Sequence, residues 1–247
     1  MIYVIGIGPG GEESITPRAL NAMKSCEIIA GYTKYINLVR DLLPGKGFIS
    51  YSMRHEILRC HDALMISRDF NIDIALISSG DSGVYGMAGL MLETAKNSGE
   101  KIIIIPGMTA ANSAAAVLGA PLMNDYVNIS LSDLLTSWEV ITKRLIAACM
   151  GDFVICLYNP ASNNRPEHFK RACKILLEYK SPDTPAGFVM NSDRINEYHE
   201  IMTLGEIQDC KLINMSSLVI IGNSQSYILD GQIITPRGYK FNERGFN

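Results

Sequence analysis

Two glycine turns stand where apolar runs end. Gly6-Ile7-Gly8-Pro9-Gly10-Gly11 follows Ile2 to Ile5, and Ser79-Gly80-Asp81-Ser82-Gly83 follows Ile74 to Ile77. A third segment, Pro106-Gly107-Met108-Thr109-Ala110, closes the run Ile102 to Ile105 and opens an alanine-rich helix expected over Ala111 to Leu118. At the carboxyl edge of a parallel sheet, glycine lets the backbone approach a ligand that any side chain would exclude. Asp81 either offers a carboxylate to that ligand or fixes its own turn through a side-chain hydrogen bond. Thr109 suits a helix cap, with its hydroxyl and the neighbouring amides free to face a ligand. The chemistry implied is the holding of a small molecule against several strand ends.

A dinucleotide fingerprint needs Gly6, Gly8 and Gly11 to open a helix directly. Pro9, Glu12, Glu13 and the capping run Ser14-Ile15-Thr16-Pro17 delay that helix, with Thr16 as cap and Pro17 at its first position. No helix amino terminus then lies under Gly8 to hold a pyrophosphate, and Glu27 begins the second strand where a ribose-binding acid should end it.

The elements that position these turns alternate. Strands are expected at Ile2 to Ile5, Ile28 to Ala30, Phe48 to Ser50, Ile72 to Ile77 and Ile102 to Ile105. Helices are expected at Thr16 to Lys24, Tyr32 to Leu43, Glu56 to Arg68 and Met87 to Lys96, which makes one open parallel sheet by βαβ logic. After Tyr126 to Ser130 the composition changes to a helical stretch, Trp138 to Met150, which places the domain boundary near Asn124 to Leu135, and a second α/β run follows with strand Phe153 to Leu157 and helix Pro166 to Tyr179. Strands Ala186 to Met190, Glu197 to Met202 and Leu218 to Ile221 come next, then a hairpin from Tyr227 to Ile234 around Asp230-Gly231. Several of these connections are too short for a crossover helix, so the second sheet is expected to be mixed. The expectation is therefore two α/β domains, residues 1–124 with a mainly parallel five-stranded sheet and residues 125–247 with a mixed sheet.

Composition agrees with a globular α/β chain. Of 247 residues, 47% are hydrophobic and 19% charged, and 22 basic against 25 acidic residues give a formal charge of -3 without long blocks of one sign. No electrostatic footprint for nucleic acid is present. No apolar run reaches the roughly 18 residues that span a bilayer, and no basic leader opens the chain, so a cytoplasmic protein is expected. Cys26, Cys60, Cys149, Cys156, Cys173 and Cys210 are scattered without a Cys-x-x-Cys pair, which signals neither zinc nor a cluster and suits a reducing compartment.

These motifs, in order, resemble those of the tetrapyrrole (corrin/porphyrin) methylases. Ile5 to Gly10, Ser79 to Gly86, Pro106 to Ala111, Leu157-Tyr158-Asn159-Pro160 and Ile221-Gly222-Asn223-Ser224 carry the resemblance over nearly the whole chain. Gly80 to Gly89, Ser130 to Thr136, Tyr158-Asn159-Pro160 and Thr235-Pro236-Arg237-Gly238-Tyr239 are similar to one branch, which methylates carbon 17 of precorrin-3B or cobalt-factor III and contracts the ring in cobalamin synthesis. The resemblance implies S-adenosylmethionine in a cleft between two α/β domains, a tetrapyrrole substrate and a homodimer. A methylase of another carbon in the same series is the near alternative, and a noncatalytic nucleotide-binding module the distant one.

Carried over by position, the resemblance implies that Pro9 lines the cleft. Gly80, Asp81 and Val84 meet the cofactor from the second turn, and Thr109 and Ala110 from the third. Asn159 stands where relatives carry methionine, so its contact is polar, while Met190 and Gly222 close over the adenosine. A sulfonium donor is a cation with an adenine and ribose hydroxyls, and Asp81 suits it. Methyl transfer is a direct displacement that rests on alignment and the exclusion of water, so no protein nucleophile is required. Ring contraction, in which a substrate carboxylate attacks to form a lactone, requires proton movement. Ser132 and Asp133, with His55, are the candidate acid and base groups, and Arg54 is the candidate partner for a peripheral substrate carboxylate. His61, His168 and His199 fall within expected helices or strands with no partner in sequence. Lys34, Lys143, Arg144 and Arg165 read as solvated charges, and Trp138 as core.

Overall fold

The structure, a computed structural model, describes residues 1–162 and 165–239. By its internal contacts the chain divides into two units, one of Met1–Ala110 with Asp193–Ile195 and one of Ala111–Ser192 with Asn196–Asn247.

In the first unit, strands β1 (Ile2–Gly6), β2 (Ile28–Tyr32), β3 (Gly47–Tyr51), β4 (Ile74–Ser78) and β5 (Ile102–Ile105) form a parallel sheet in the order β3-β2-β4-β1-β5. Helices α1 (Pro17–Ser25), α2 (Thr33–Val39), α3 (Glu56–Phe70) and α4 (Ala88–Thr94) cover its two faces. The period-two alternation of a strand sorts the core. Ile2, Val4, Ala30, Ile74 and Leu76 pack against Cys60, Ala63, Leu64, Ala88 and Met91 of α3 and α4. Ile5, Ile29, Ala75 and Ile77 pack on the opposite face against Ala19, Ala22, Met23, Ile36 and Val39 of α1 and α2. Each fully buried Ile contributes on the order of 1.5–3 kcal/mol. As expected, Thr16 caps α1, accepting from the amide of Ala19 at 3.1 Å with Pro17 at the first position. Because every strand is parallel, the loops after β1, β4, β5 and β3 emerge along one edge, and these loops carry the candidate residues.

The second unit holds α5 (Ala110–Leu118, from Ala111), β6 (Gly119–Ala120), β7 (Tyr126–Ser130), α6 (Trp138–Met150), β8 (Val154–Tyr158), α7 (His168–Leu177), β9 (Pro185–Met190), β10 (Tyr198–Thr203), α8 (Leu204–Ile207), β11 (Ser217–Ile221), β12 (Tyr227–Leu229) and β13 (Gln232–Ile234). Its main sheet runs β10-β9-β11-β8-β7, with β7 and β8 parallel and the other neighbours antiparallel, so it is mixed as expected. Helices α6, α7 and α8 bury one face around Leu145, Phe169, Leu176, Phe188 and Val219. The hairpin turn at Asp230-Gly231 takes left-handed φ at both residues, 48° and 75°, the geometry a two-residue turn demands.

The division falls at Ala110, earlier than the composition change between Asn124 and Leu135 suggested. The reason is the packing of α5. A Cβ on Gly187 of β9 would lie 2.9 Å from the Leu118 side chain, so glycine there lets α5 lie close against the sheet. The Ser113 and Ser192 hydroxyls meet at 2.6 Å, and β6 pairs with β13. These contacts are far apart in sequence, where nothing announces them.

Among the described residues no helix is long and apolar enough to cross a membrane. The cysteines are free and all but Cys210 are buried. Burial pushes the thiols of Cys26, Cys156 and Cys173 up to about 12, as for inert core cysteines.

Candidate active site

The three glycine motifs interlock at the carboxyl edge of the first sheet. Gly8 and Gly80 exchange backbone hydrogen bonds, the Gly8 amide donating to the Gly80 carbonyl at 3.1 Å and the Gly80 amide to the Gly8 carbonyl at 2.6 Å. A Cβ on Gly6 would stand 2.6 Å from both the Gly80 carbonyl oxygen and the Gly107 nitrogen, so all three backbones meet where only glycine fits. Asp81 joins the second motif to the third. Its Oδ1 accepts from the Gly83 amide at 2.7 Å and its Oδ2 from the Gly107 amide at 3.0 Å. The turn-fixing role of Asp81 is therefore realised, together with a cross-link that the sequence did not disclose. Pro9 and Gly80 are buried, while Asp81, Val84, Thr109 and Ala110 are half-buried along the same edge.

Sequence reasoning missed Arg194. Its Nε donates to the Pro9 carbonyl at 2.5 Å and its Nη2 to the Ser79 hydroxyl at 2.7 Å, so one guanidinium clasps the first and second motifs. The neighbouring Asp193 accepts from the Gly11 amide at 3.1 Å. The segment is sharply turned, with left-handed φ at Asn191, Asp193 and Asn196. The Asn and Asp content of that segment was the available signal, since these residues tolerate such backbone.

Farther along the same edge, β3 leads into the loop that holds Arg54 and His55. Two strand spacings separate β3 from β4, about 10 Å. Arg54 is exposed with a left-handed φ of 68°, an uncommon conformation for a non-glycine residue, and its amide donates to Glu56 Oε1 at 3.2 Å. His55 is exposed at the cap of α3, its Nδ1 2.8 Å from the Ser52 hydroxyl. The fold thus brings Arg54 and His55 to the edge that carries the glycine motifs.

In the second unit the carboxyl ends of β7, β8 and β9 lie together. Asn159 adopts φ 53°, and its side-chain amide donates to the Ser130 hydroxyl at 3.0 Å. That left-handed turn gives a local reason for asparagine at this position. The Ser132 amide also donates to Ser130 Oγ, at 3.2 Å, and the Tyr158 hydroxyl accepts from the Ala111 amide at 3.0 Å. Met190 ends β9 at the same side, its sulfur 2.8 Å from Asn214 Nδ2. Gly222 is not brought there. It follows β11, which runs antiparallel to β9, so Ser217 pairs with Met190 while Gly222 lies beyond Ile221 at the opposite end, its amide on the Pro185 carbonyl. There it borders a polar cavity of about 310 Å³ lined by Asp152, Lys180, Thr184, Asn223 and Ser224, with Lys180 donating to the Gly222 carbonyl.

Asp133 is the centre of a charged cluster. Its Oδ2 lies 2.9 Å from His168 Nε2, and its Oδ1 lies 4.0 Å from Arg165 Nε. The close approach of His168 Nε2 is the largest influence on the carboxyl and holds it below the usual carboxylate range, aided by Arg165 and opposed by desolvation. His168 thus lies in ion-pair range of Asp133, its buried Nε2 making no aligned hydrogen bond, and Arg165 is buried rather than solvated. Arg165 also donates to the Leu131 carbonyl at 3.4 Å and the Ser162 hydroxyl at 3.3 Å. Trp138 packs edge-on to His168 and beneath the Arg171 guanidinium, half in the core as expected. Among the described residues no three His, Cys, Asp or Glu side chains gather as a metal site.

Comparison with known proteins gives a concordant result. Residues 1–208 match the family described as Tetrapyrrole (Corrin/Porphyrin) Methylases. A Salmonella typhimurium protein named probable cobalt-factor III C(17)-methyltransferase is 47% identical over 241 residues, which cover 97% of this chain and 99% of its own. A precorrin-3B C(17)-methyltransferase of Sinorhizobium sp is 36% identical over 248 residues, 96% of each chain. The crystal structure of the methyltransferase CobJ superposes with a TM-score of 0.88 at 32% identity, covering 95% of this chain and 99% of that one.

Proposed function

The chain belongs to the tetrapyrrole (corrin/porphyrin) methylase family, and we propose that it methylates carbon 17 of precorrin-3B or cobalt-factor III from S-adenosylmethionine, with ring contraction, in cobalamin synthesis. One observation carries this reading: the chain aligns along almost its whole length with C(17)-methyltransferases of both substrate types.

The edge of the first unit suits the donor. The bare backbone at Gly80 allows close approach, and the Asp81 carboxylate keeps lone pairs beyond those given to Gly83 and Gly107. Bound there, S-adenosylmethionine supplies a methyl group on a sulfonium, and the part of Pro9, Gly80, Asp81, Val84, Thr109 and Ala110 is to hold and align it and to exclude water. Asn159 and Met190 keep their assignment to the same cofactor on the resemblance, while Gly222, at the far end of its sheet, is left a structural role. Ser132, Asp133 and His55 serve proton movement, and Arg54 offers its guanidinium to a substrate carboxylate. A homodimer is assigned on the same resemblance, and a cytoplasmic location on the sequence pattern.

Anaerobic incubation of the purified protein with S-adenosylmethionine and either cobalt-factor III or precorrin-3B tests the reading. The expected outcome is a product heavier by one methyl with a ring-contracted absorption spectrum, and the substrate that yields it decides whether cobalt is already inserted. Cofactor binding without product from either tetrapyrrole would sink the assignment. Sedimentation of the same sample tests the dimer.

A further inference from the structure

Arg59, on the first turns of α3, is 3% exposed and lacks the partner that a buried cation requires. Its Nη1 faces only the Met87 sulfur at 3.8 Å, a weak acceptor, and its Nη2 reaches the Ser52 carbonyl at a long 3.4 Å. The guanidinium carbon lies 5.7 Å from the centre of the Tyr51 ring, and Nε is buried with no partner. Acids on the same helix are engaged elsewhere. Asp62 accepts from the Tyr51 hydroxyl at 3.1 Å, and Glu56 accepts from the Arg54 amide. Among the described residues no carboxylate forms an ion pair with Arg59. Burying a charge without a counterion is strongly unfavourable, so a cation kept in this state points to an anion that arrives from outside.

The position says what kind of anion. Arg59 sits at the carboxyl edge of the first sheet, between the loop after β3, through Tyr51 and Ser52, and the end of the second glycine motif, through Met87. We propose that Arg59 is a receptor for a ligand carboxylate, taken in bidentate fashion by the Nε and Nη2 edge of the guanidinium, where Nε has no partner and Nη2 has only the long contact to Ser52. The carboxylate comes from the rim of the tetrapyrrole or from the methionine tail of the donor. This rests on the function proposed above, and the test separates the two sources.

Full-length Arg59→Met is compared with the natural protein in three measurements: thermal midpoint without ligand, affinity for S-adenosylhomocysteine by calorimetry, and affinity for cobalt-factor III by absorbance titration. The expected result is a midpoint equal or higher by about 3 °C, since an uncompensated charge has been removed, together with a tenfold or greater loss of affinity for one ligand. Loss confined to the tetrapyrrole assigns the carboxylate to the substrate, and loss confined to S-adenosylhomocysteine assigns it to the donor. Arg59→Lys, which keeps the charge without the fork, should show the same loss at an unchanged midpoint and serves if the Met variant fails to fold. A lowered midpoint with both affinities intact would overturn the proposal and leave Arg59 a brace for Ser52. If the natural protein binds neither tetrapyrrole, the proposed function fails, and unchanged S-adenosylhomocysteine affinity then defeats the Arg59 proposal as well.

Discussion

Arg59 and Arg165 are both buried arginines, 3% and 9% exposed, in opposite electrostatic circumstances. Arg165 has Asp133 beside it and donates to a carbonyl and a hydroxyl. Arg59 has a thioether, a distant carbonyl and an idle Nε. The edges around them differ in the same way. The first unit's edge is backbone against backbone, glycine fitted to glycine, with a cation left open. The second unit's edge is a cluster of side chains, with Asp133 between His168 and Arg165 and Arg165 on a carbonyl and a hydroxyl. One edge is built to be completed by a ligand, and the other keeps its own groups oriented before any ligand arrives.

The strongest way to break this comparison is at the backbone interlock. Gly6→Ala places a Cβ 2.6 Å from two backbone atoms that cannot swing aside, the Gly80 oxygen and the Gly107 nitrogen. The expected cost is about 3 kcal/mol, the upper range for overpacking, read as a fall in the urea midpoint with unchanged slope. An unaffected midpoint would mean that the three motifs do not lock together in solution.

Next in size is the contrast between the arginines. Arg165→Met strands the Leu131 carbonyl and the Ser162 hydroxyl and should lower stability by about 2 kcal/mol. Arg59→Met should lower nothing. Equal losses at both positions would erase the distinction between a satisfied and an open cation.

Much of this was legible in the sequence, and the pattern of what was not is physical. Apolar runs and their alternation with helical segments placed the five parallel strands of the first sheet, most clearly the central β1 and β4, which are buried on both faces and written almost wholly in apolar residues. The Asp230-Gly231 hairpin was legible because left-handed backbone restricts residue choice. What escaped were contacts between residues distant in the chain: Arg194 on Pro9 and Ser79, His168 on Asp133, and α5 against β9. Gly222 shows a related point: its motif was recognised, but which end of the sheet it occupies follows from the direction of β11, and strand direction in a mixed sheet is not encoded in the strand itself.

A smaller effect sharpens the role of Asp81. Asp81→Ala removes acceptors from the Gly83 and Gly107 amides, so the turn loosens while the glycine interlock stays. A roughly tenfold weaker affinity for S-adenosylhomocysteine is expected by calorimetry, the loss of about one net hydrogen bond. Unchanged affinity would confine Asp81 to local turn geometry.

The smallest effect tests whether the second edge is as self-sufficient as it looks. The Asp133 carboxyl is held below its usual range first by His168. A carboxyl depressed in the folded state adds stability at pH above its unfolded value, about 3.9, and that stability is lost as pH falls through the lower folded value. His168→Phe keeps the ring beside Trp138 but removes the imidazole nitrogen from beside the carboxyl, so the folded value rises toward the unfolded one. Stability measured by urea midpoint between about pH 3 and 5 should then depend less steeply on pH than in the natural protein. Asp133→Asn should flatten the same window and leave nothing further for His168→Phe to change. Two independent, additive effects would mean that the contact between them does not hold Asp133 in solution.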